Sequence, residues 1–145
     1  ARTYGNMHAY QLTKSGGEQL WQVNDGNRGA SPVVTGGRVF TQSRYIVCRD
    51  LQTGKEIWKA ERQKTETCSP IAADGKVITW FYQKPKNKGG KRKWYIVQFD
   101  ATADSYQEQG RLKLDPAAYS SPVIAEGRLY LRLEKGVACY DLRKH

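Results

Sequence analysis

The sequence predicts an all-β fold of consecutive four-stranded antiparallel units. Three observations predict it. A ten-residue pattern recurs at Ser31–Phe40, Ser69–Ile78 and Ser121–Tyr130. Each copy is followed by a further apolar run that ends on an Asp, at Asp50, Asp100 and Asp141. The apolar runs are rich in β-branched and aromatic residues and nowhere show helical periodicity.

Each copy opens with Ser-Pro, passes through a short apolar run to two turn residues ending in Gly, and resumes with a base and alternating apolar residues. The turn pairs are Gly36-Gly37, Asp74-Gly75 and Glu126-Gly127. A Gly in the second turn position takes the positive φ that short hairpins require. These segments are therefore the first and second strands of each unit. The third strands are Tyr45–Cys48, Trp94–Val97 and Gly136–Cys139. In the first full unit the chain continues Leu51-Gln52-Thr53-Gly54-Lys55-Glu56-Ile57-Trp58, a turn and a fourth strand.

Pro32 and Pro70 are 38 residues apart, whereas Pro70 and Pro122 are 52 apart. Most of the excess lies between Gly75 and Val97, a span of 22 residues against 10 from Gly37 to Val47. The period is thus near 38, with one insertion that holds Lys84–Lys93. Before the first full copy, Ser15–Trp21 aligns with Gln52–Trp58, Gly standing four residues before Trp in both. Met7–Leu12 then reads as a third strand, so the chain opens in mid-unit, and by the same reading it closes in mid-unit after Asp141.

Four short antiparallel strands at this period are the mark of a propeller blade. Ser-Pro-Val-Val-Thr-Gly-Gly-Arg-Val-Phe, followed by Asp-Leu-Gln-Thr-Gly-Lys-Glu-Ile-Trp, resembles the repeat of the pyrroloquinoline-quinone (PQQ)-like β-propellers. The resemblance is strongest at 29–58 and 120–142 and weakens at 101–114, where the Thr-Gly-x-x-x-Trp pattern is lost. It implies two complete and two partial blades: 1–28 the end of a blade, 29–66 a blade, 67–118 a blade with the basic insertion 84–93, and 119–145 an incomplete blade. Family propellers close with more blades than this, so the resemblance implies the C-terminal portion of a longer propeller. The missing blades would come from the same protein or from another copy closing the ring.

Composition bounds the function. Lys plus Arg number 24 against 14 acidic residues, a net charge of +10. Six of the bases, Lys84, Lys86, Lys88, Lys91, Arg92 and Lys93, fall in the insertion, and the remaining 18 bases against 14 acids leave only +4. These six are the candidate anion-binding residues. Lys outnumbers Arg five to one in that run and no aromatic interrupts it, which favours general electrostatics over base readout. The competing reading is a solvated loop that keeps a β edge from aggregating.

The other chemistry-bearing residues point to structure. Asp50, Asp100 and Asp141 hold matched places, as expected of carboxylates accepting N–H bonds in the following turns. Trp21 and Trp58 hold matched places on outer strands, and the resemblance implies that they pack between blades. Trp80 and Trp94 flank the insertion and are expected to face each other across a hairpin. The three cysteines, Cys48, Cys68 and Cys139, form no CxxC pair. Cys48 and Cys139, two blades apart, are expected to be buried free thiols, and Cys68 the most accessible of the three. Two histidines, His8 and His145, cannot build a His-rich metal site. Neither a GxxxxGK[ST] loop nor a GxGxxG opening a helix is present. No catalytic, cofactor-binding or metal-binding residue is therefore assigned.

The function expected from these residues is a non-catalytic propeller serving as a protein-interaction or scaffold module. One alternative is a fragment of a PQQ-dependent quinoprotein dehydrogenase. The resemblance ties that activity to PQQ, calcium and an adjacent-cysteine disulfide, and no two cysteines here are adjacent. A second alternative is polyanion or nucleic-acid binding through Lys84–Lys93. The resemblance implies an extracytoplasmic place, periplasmic or secreted. Residues 1–6 lack the apolar core of a signal peptide, and no run of 18 apolar residues offers a membrane span.

Overall fold

The computed structural model describes residues 5–25, 29–61, 64–65, 68–85, 87–117 and 120–143. All the regular structure among them is β, in four antiparallel sheets. The first sheet pairs β1 (Met7–Thr13) with β2 (Gly16–Val23). The second has the order β3 (Val33–Thr35), β4 (Arg38–Gln42), β5 (Ile46–Asp50), β6 (Glu56–Lys59). The third follows with β7 (Ile71–Ala73), β8 (Lys76–Gln83), β9 (Lys93–Asp100) and β10 (Glu108–Lys113). The fourth holds β11 (Val123–Ala125), β12 (Arg128–Leu133) and β13 (Gly136–Asp141). Strand neighbours in sequence are neighbours in space throughout, as in a propeller built from meanders. The absence of helix and the blade-like sheets agree with the fold class read from the repeat.

The repeat dictates the turns. Gly36 and Gly37 have φ of 56° and 72°, Asp74 and Gly75 49° and 68°, Glu126 and Gly127 50° and 70°. Positive φ at both central residues is the two-residue hairpin turn whose twist matches the flanking strands. Asp and Glu stand in the first turn position of two units, strained more than the Gly of the other. The carbonyl of each turn glycine then accepts the N–H just past the third strand: Leu51 to Gly37 at 2.9 Å, Ala101 to Gly75 at 2.9 Å, Leu142 to Gly127 at 2.8 Å.

Side chains alternate across each sheet, and the inward set of one sheet meets that of the next. Phe40, Ile46, Cys48, Trp58, Val77, Phe81, Val97 and Phe99 form the core between the second and third sheets. Cys68, Ile78, Trp80, Ile96, Leu129 and Leu131 form the core between the third and fourth. The inner strands are stitched by the serines of the repeat. Ser31 N–H donates to Ser69 Oγ at 2.8 Å, and Ser69 N–H donates to Ser121 Oγ at 2.8 Å. Ser69 and Ser121 thus each stand just before a strand and supply an acceptor to the preceding sheet.

Two expectations are corrected here. Trp94 faces Tyr82, with ring centroids 5.1 Å apart, and Trp80 pairs with Ile96, because the β8–β9 register sets the tryptophans two residues out of step. The thiols also exchange places. Cys68 is buried at 7% exposure and accepts from Gln42 Nε2 at 2.8 Å, because its segment sinks between two sheets. Cys139 is exposed although it matches buried Cys48. Cys48 sits opposite Phe40 under the third sheet, whereas Cys139 sits opposite Tyr130 on the fourth sheet's uncovered face. Burial raises the pKa of both Cys48 and Cys68, so neither is an activated nucleophile.

Candidate functional site

The matched carboxylates are occupied by their own turns. One oxygen of Asp50 accepts the Gln52 N–H, the Thr53 N–H and the Thr53 hydroxyl at 3.2, 2.7 and 2.7 Å. Asp100 accepts the Thr102 N–H at 2.6 Å and its hydroxyl at 2.7 Å. Asp141 accepts the Arg143 N–H at 3.0 Å and its guanidinium Nε at 2.8 Å. These bonds favour the ionised form. They lower the pKa of Asp50 and Asp100 and hold Asp141 at about 2, with the Arg143 side chain the leading cause there. Carboxylates so engaged are turn locks and leave no base poised near neutral pH.

The outer tryptophans clasp one blade to the next. Trp21 Nε1 donates to the Leu51 carbonyl at 2.8 Å, and Trp58 Nε1 donates to the Ala103 carbonyl at 3.0 Å. The register shows where the series stops. Trp21 lies opposite Ala9 and Trp58 opposite Cys48, but the matching place opposite Gln98 is Gly110. The weakened pattern at 101–114 is therefore a real loss of the clasp. In its place Tyr106 packs against Trp58, Phe81 and Phe99, and its hydroxyl donates to Glu108 at 2.8 Å. Burial and the Glu108 carboxylate both push the Tyr106 pKa up. Glu108 is in turn gripped by Arg111 through two bonds of 2.5 and 2.6 Å, which lower its pKa.

Sequence reasoning missed a polar join between the first two sheets. Asp25, just past β2, accepts from Thr41 Oγ1 at 3.0 Å and from Arg49 Nε and Nη2 at 3.3 and 3.0 Å. Both side chains of the ion pair are nearly buried, at 13% and 11% exposure. No repeat signal marks Asp25, since it lies between units.

The basic insertion joins the second and third strands of the third sheet, and Gln83 opposite Lys93 is the last rung below it. Lys84, Lys88, Lys91 and Lys93 are exposed, and Lys86 lies outside the described residues. Arg92 differs from the rest of the run: its guanidinium lies 4.4 Å from the centre of the Tyr82 ring. The five described bases therefore share one hairpin, and Arg92 folds back on its stem. Cations also gather on the neighbouring sheet. Arg44, Lys59 and Lys64 lie 5.5, 5.1 and 5.9 Å from the centre of the Tyr45 ring. These three are scattered through a turn, a strand end and a connector, so no run in the sequence marks them. Asp50, Asp74, Asp100, Asp104, Glu126 and Asp141 all lie toward the opposite ends of the strands.

Replacing residues 84–92 by Asn-Gly should close the hairpin directly on the Gln83–Lys93 rung. Among the described residues the variant loses the Arg92–Tyr82 contact, about 0.5–1 kcal/mol for an exposed cation–π pair, and the loop's own Gly90 N–H bond to the Asn87 carbonyl. The melting temperature should fall by no more than a few degrees, while retention on heparin should drop sharply. Unfolding of this variant in a thermal melt would show that the loop is packed structure, and unchanged retention would place the basic surface elsewhere.

Comparison with known proteins places this architecture. The family model described as "Outer membrane protein assembly factor BamB" matches residues 6–103. Among solved structures, BamB from Moraxella catarrhalis is 18% identical with a TM-score of 0.64, over 96% of this chain and 41% of that one. Quinohemoprotein alcohol dehydrogenase from Comamonas testosteroni is 17% identical with a TM-score of 0.67, over 96% and 31%. Quinohemoprotein alcohol dehydrogenase ADHIIG from Pseudomonas putida HK5 is 13% identical with a TM-score of 0.65, over 93% and 30%. At these identities the structures establish a shared fold, and the chain spans well under half the length of each. No curated protein matches the sequence. The family model covers well over half of the chain, and the protein belongs to the PQQ-like β-propeller family that it describes.

Proposed function

We propose that this chain is a non-catalytic part of a PQQ-like propeller and serves as a protein-interaction or scaffold module in an extracytoplasmic compartment, periplasmic or secreted. One observation carries the reading: the residues that recur from blade to blade are consumed by the architecture. The repeated Asp side chains lock turns, the repeated Trp side chains clasp blades, and the repeated Ser side chains stitch inner strands. What remains for function is surface. The family description, an outer membrane protein assembly factor, supports both the scaffold role and the compartment. Other blades complete the ring, and on this reading they belong to the same protein or to a second copy. No helix among the described residues is long and apolar enough to cross a membrane.

The dehydrogenase alternative draws on the two alcohol dehydrogenase likenesses. Against it, this chain does not itself supply the adjacent cysteine pair that the family resemblance ties to PQQ and calcium. Cys48 lies on β5, Cys68 before β7 and Cys139 on β13, so no adjacent pair exists. Among the described residues no group of three or more His, Cys, Asp or Glu side chains is arranged to hold a metal ion. Titrating the intact protein with PQQ and calcium should give no shift of the quinone absorbance and no dye-linked alcohol oxidation. Chemical cross-linking in its native compartment should recover a defined protein complex. Stoichiometric PQQ binding with turnover would overturn the reading.

A further inference from the structure

The Tyr45 cations and the basic hairpin are parts of one surface, joined by a backbone strap. The chain leaving β6 bonds first to the second sheet: Ala60 N–H donates to the Ile46 carbonyl at 2.9 Å. Thr65, 4% exposed, then anchors to the β4–β5 turn, its N–H on the Arg44 carbonyl at 3.3 Å and its hydroxyl on the Ser43 carbonyl at 2.7 Å. The same strap reaches the third sheet, where Lys64 O accepts the Tyr82 N–H at 2.8 Å. Lys64 therefore sits between the two aromatic centres. Its ammonium group lies over Tyr45, its backbone is bonded to Tyr82, and Tyr82 carries Arg92. Lys59 has Glu61 at 3.5 Å, but no carboxylate of the described residues lies within ion-pairing distance of Arg44 or Lys64. Like charges held this close raise the local potential unless a partner answers them.

We infer that Arg44, Lys59 and Lys64, together with Lys84, Lys88, Lys91, Arg92 and Lys93 of the hairpin, form a single docking face for an acidic polypeptide segment of a partner protein. The inference rests on the interaction-module reading and gives the partner's chemistry. Several features select that class. The aromatic rings are covered by their own cations, so they offer no open platform for stacking nucleic-acid bases or sugars. The hairpin tip, Lys88-Gly89-Gly90-Lys91, has no apolar side chain to enter a bilayer. The hairpin cations are mostly lysines, point charges suited to carboxylates in varied directions, whereas a phosphate backbone is gripped best by arginine forks. Arg44 and Lys64 hold the strap through their backbones, so their side chains are available without dismantling it.

The test measures binding of fluorescent poly-glutamate to the intact chain at low salt. The Arg44→Gln/Lys64→Gln double variant, with the hairpin untouched, should bind roughly three- to tenfold more weakly, as expected for the loss of two exposed charge contacts. Its melting temperature should stay that of the parent. A charge-matched control, Lys55→Gln/Lys76→Gln at the other end of the strands, should bind like the parent. Equal weakening by the control would show only net charge at work and overturn the inference. So would an unchanged double variant, which would leave the hairpin acting alone. Tighter binding of an oligothymidylate, of heparin, or of phosphatidylglycerol vesicles at matched charge would replace the acidic polypeptide by that class. None of these failures would restore a PQQ enzyme, which the quinone titration judges separately.

Discussion

Trp58→Ala should lower the unfolding free energy by about 3–5 kcal/mol, the cost of a large-to-small change at a buried aromatic. Trp58 is 8% exposed and stands at the centre of the core between the second and third sheets. Its ring centroid lies 5.9 Å from Phe40, 5.7 Å from Phe99 and 5.9 Å from Tyr106. Removing the indole therefore empties a site that three other rings line, and none of them can fill it without leaving its own contacts. The lost Nε1–H bond to the Ala103 carbonyl adds little, because Arg38 also donates to that carbonyl and keeps it satisfied. Trp58→Phe separates the two terms and should cost only about 1–2 kcal/mol, being mostly a volume change. Urea unfolding read by far-UV circular dichroism checks both. In a linear array each blade is stabilised by its neighbours, so the alanine variant should also broaden the transition as the two sheets uncouple. A loss below about 1 kcal/mol for Trp58→Ala would mean that the clasp does not join the blades.

The repeat made the architecture legible because a blade is a local object. Its strands pair with sequence neighbours, so turn glycines, Asp positions and apolar alternation suffice to define it. The Ser-Pro…Gly match located β3, β4, β7, β8, β11 and β12, and the Gly four residues before Trp located β2 and β6. Features that depend on what covers a sheet were not legible. Cys48 and Cys139 share one place in the repeat, yet one is under a blade and the other is exposed. Nothing local to either cysteine records that difference. Cys68 was misread for the opposite reason, since the start of an inner strand beside Ser69-Pro70 looks accessible until the neighbouring sheets close over it.

The candidate face was half legible. Five of the hairpin cations are consecutive enough to be read as a run and are described by the structure, whereas Arg44, Lys59 and Lys64 are brought together only by the strap. Charge clustering in sequence finds a hairpin but not a surface assembled across two sheets. The aromatic centres were also hidden, because Tyr45 and Tyr82 read as ordinary strand residues until their rings are seen under cations.

Gly54→Ala should cost about 2–5 kcal/mol and weaken the join between the first and second sheets. Two separate penalties meet at this residue. Its φ is 69°, a left-handed conformation that costs an L-residue roughly 1–2 kcal/mol. A Cβ there would lie 2.6 Å from Cδ2 and 2.9 Å from Cγ and Cε3 of Trp21, whose ring rests on the glycine. Trp21 is 9% exposed and tied by its indole N–H to the Leu51 carbonyl, so it cannot retreat without breaking that bond. Overpacking of this kind adds about 1–3 kcal/mol. Gly37→Ala is the matched control: its φ is 72°, but nothing lies within 4 Å of the added methyl. It should show the conformational penalty alone. The contact term follows from a cycle with Trp21→Ala, in which the cost of Gly54→Ala should fall to that of Gly37→Ala once the ring is gone. Equal costs for Gly54→Ala with and without Trp21 would show that the glycine is required only for its turn, and the Thr-Gly-x-x-x-Trp pattern would then be two independent signals: a turn in one blade, and a tryptophan whose seat in the next blade does not depend on glycine.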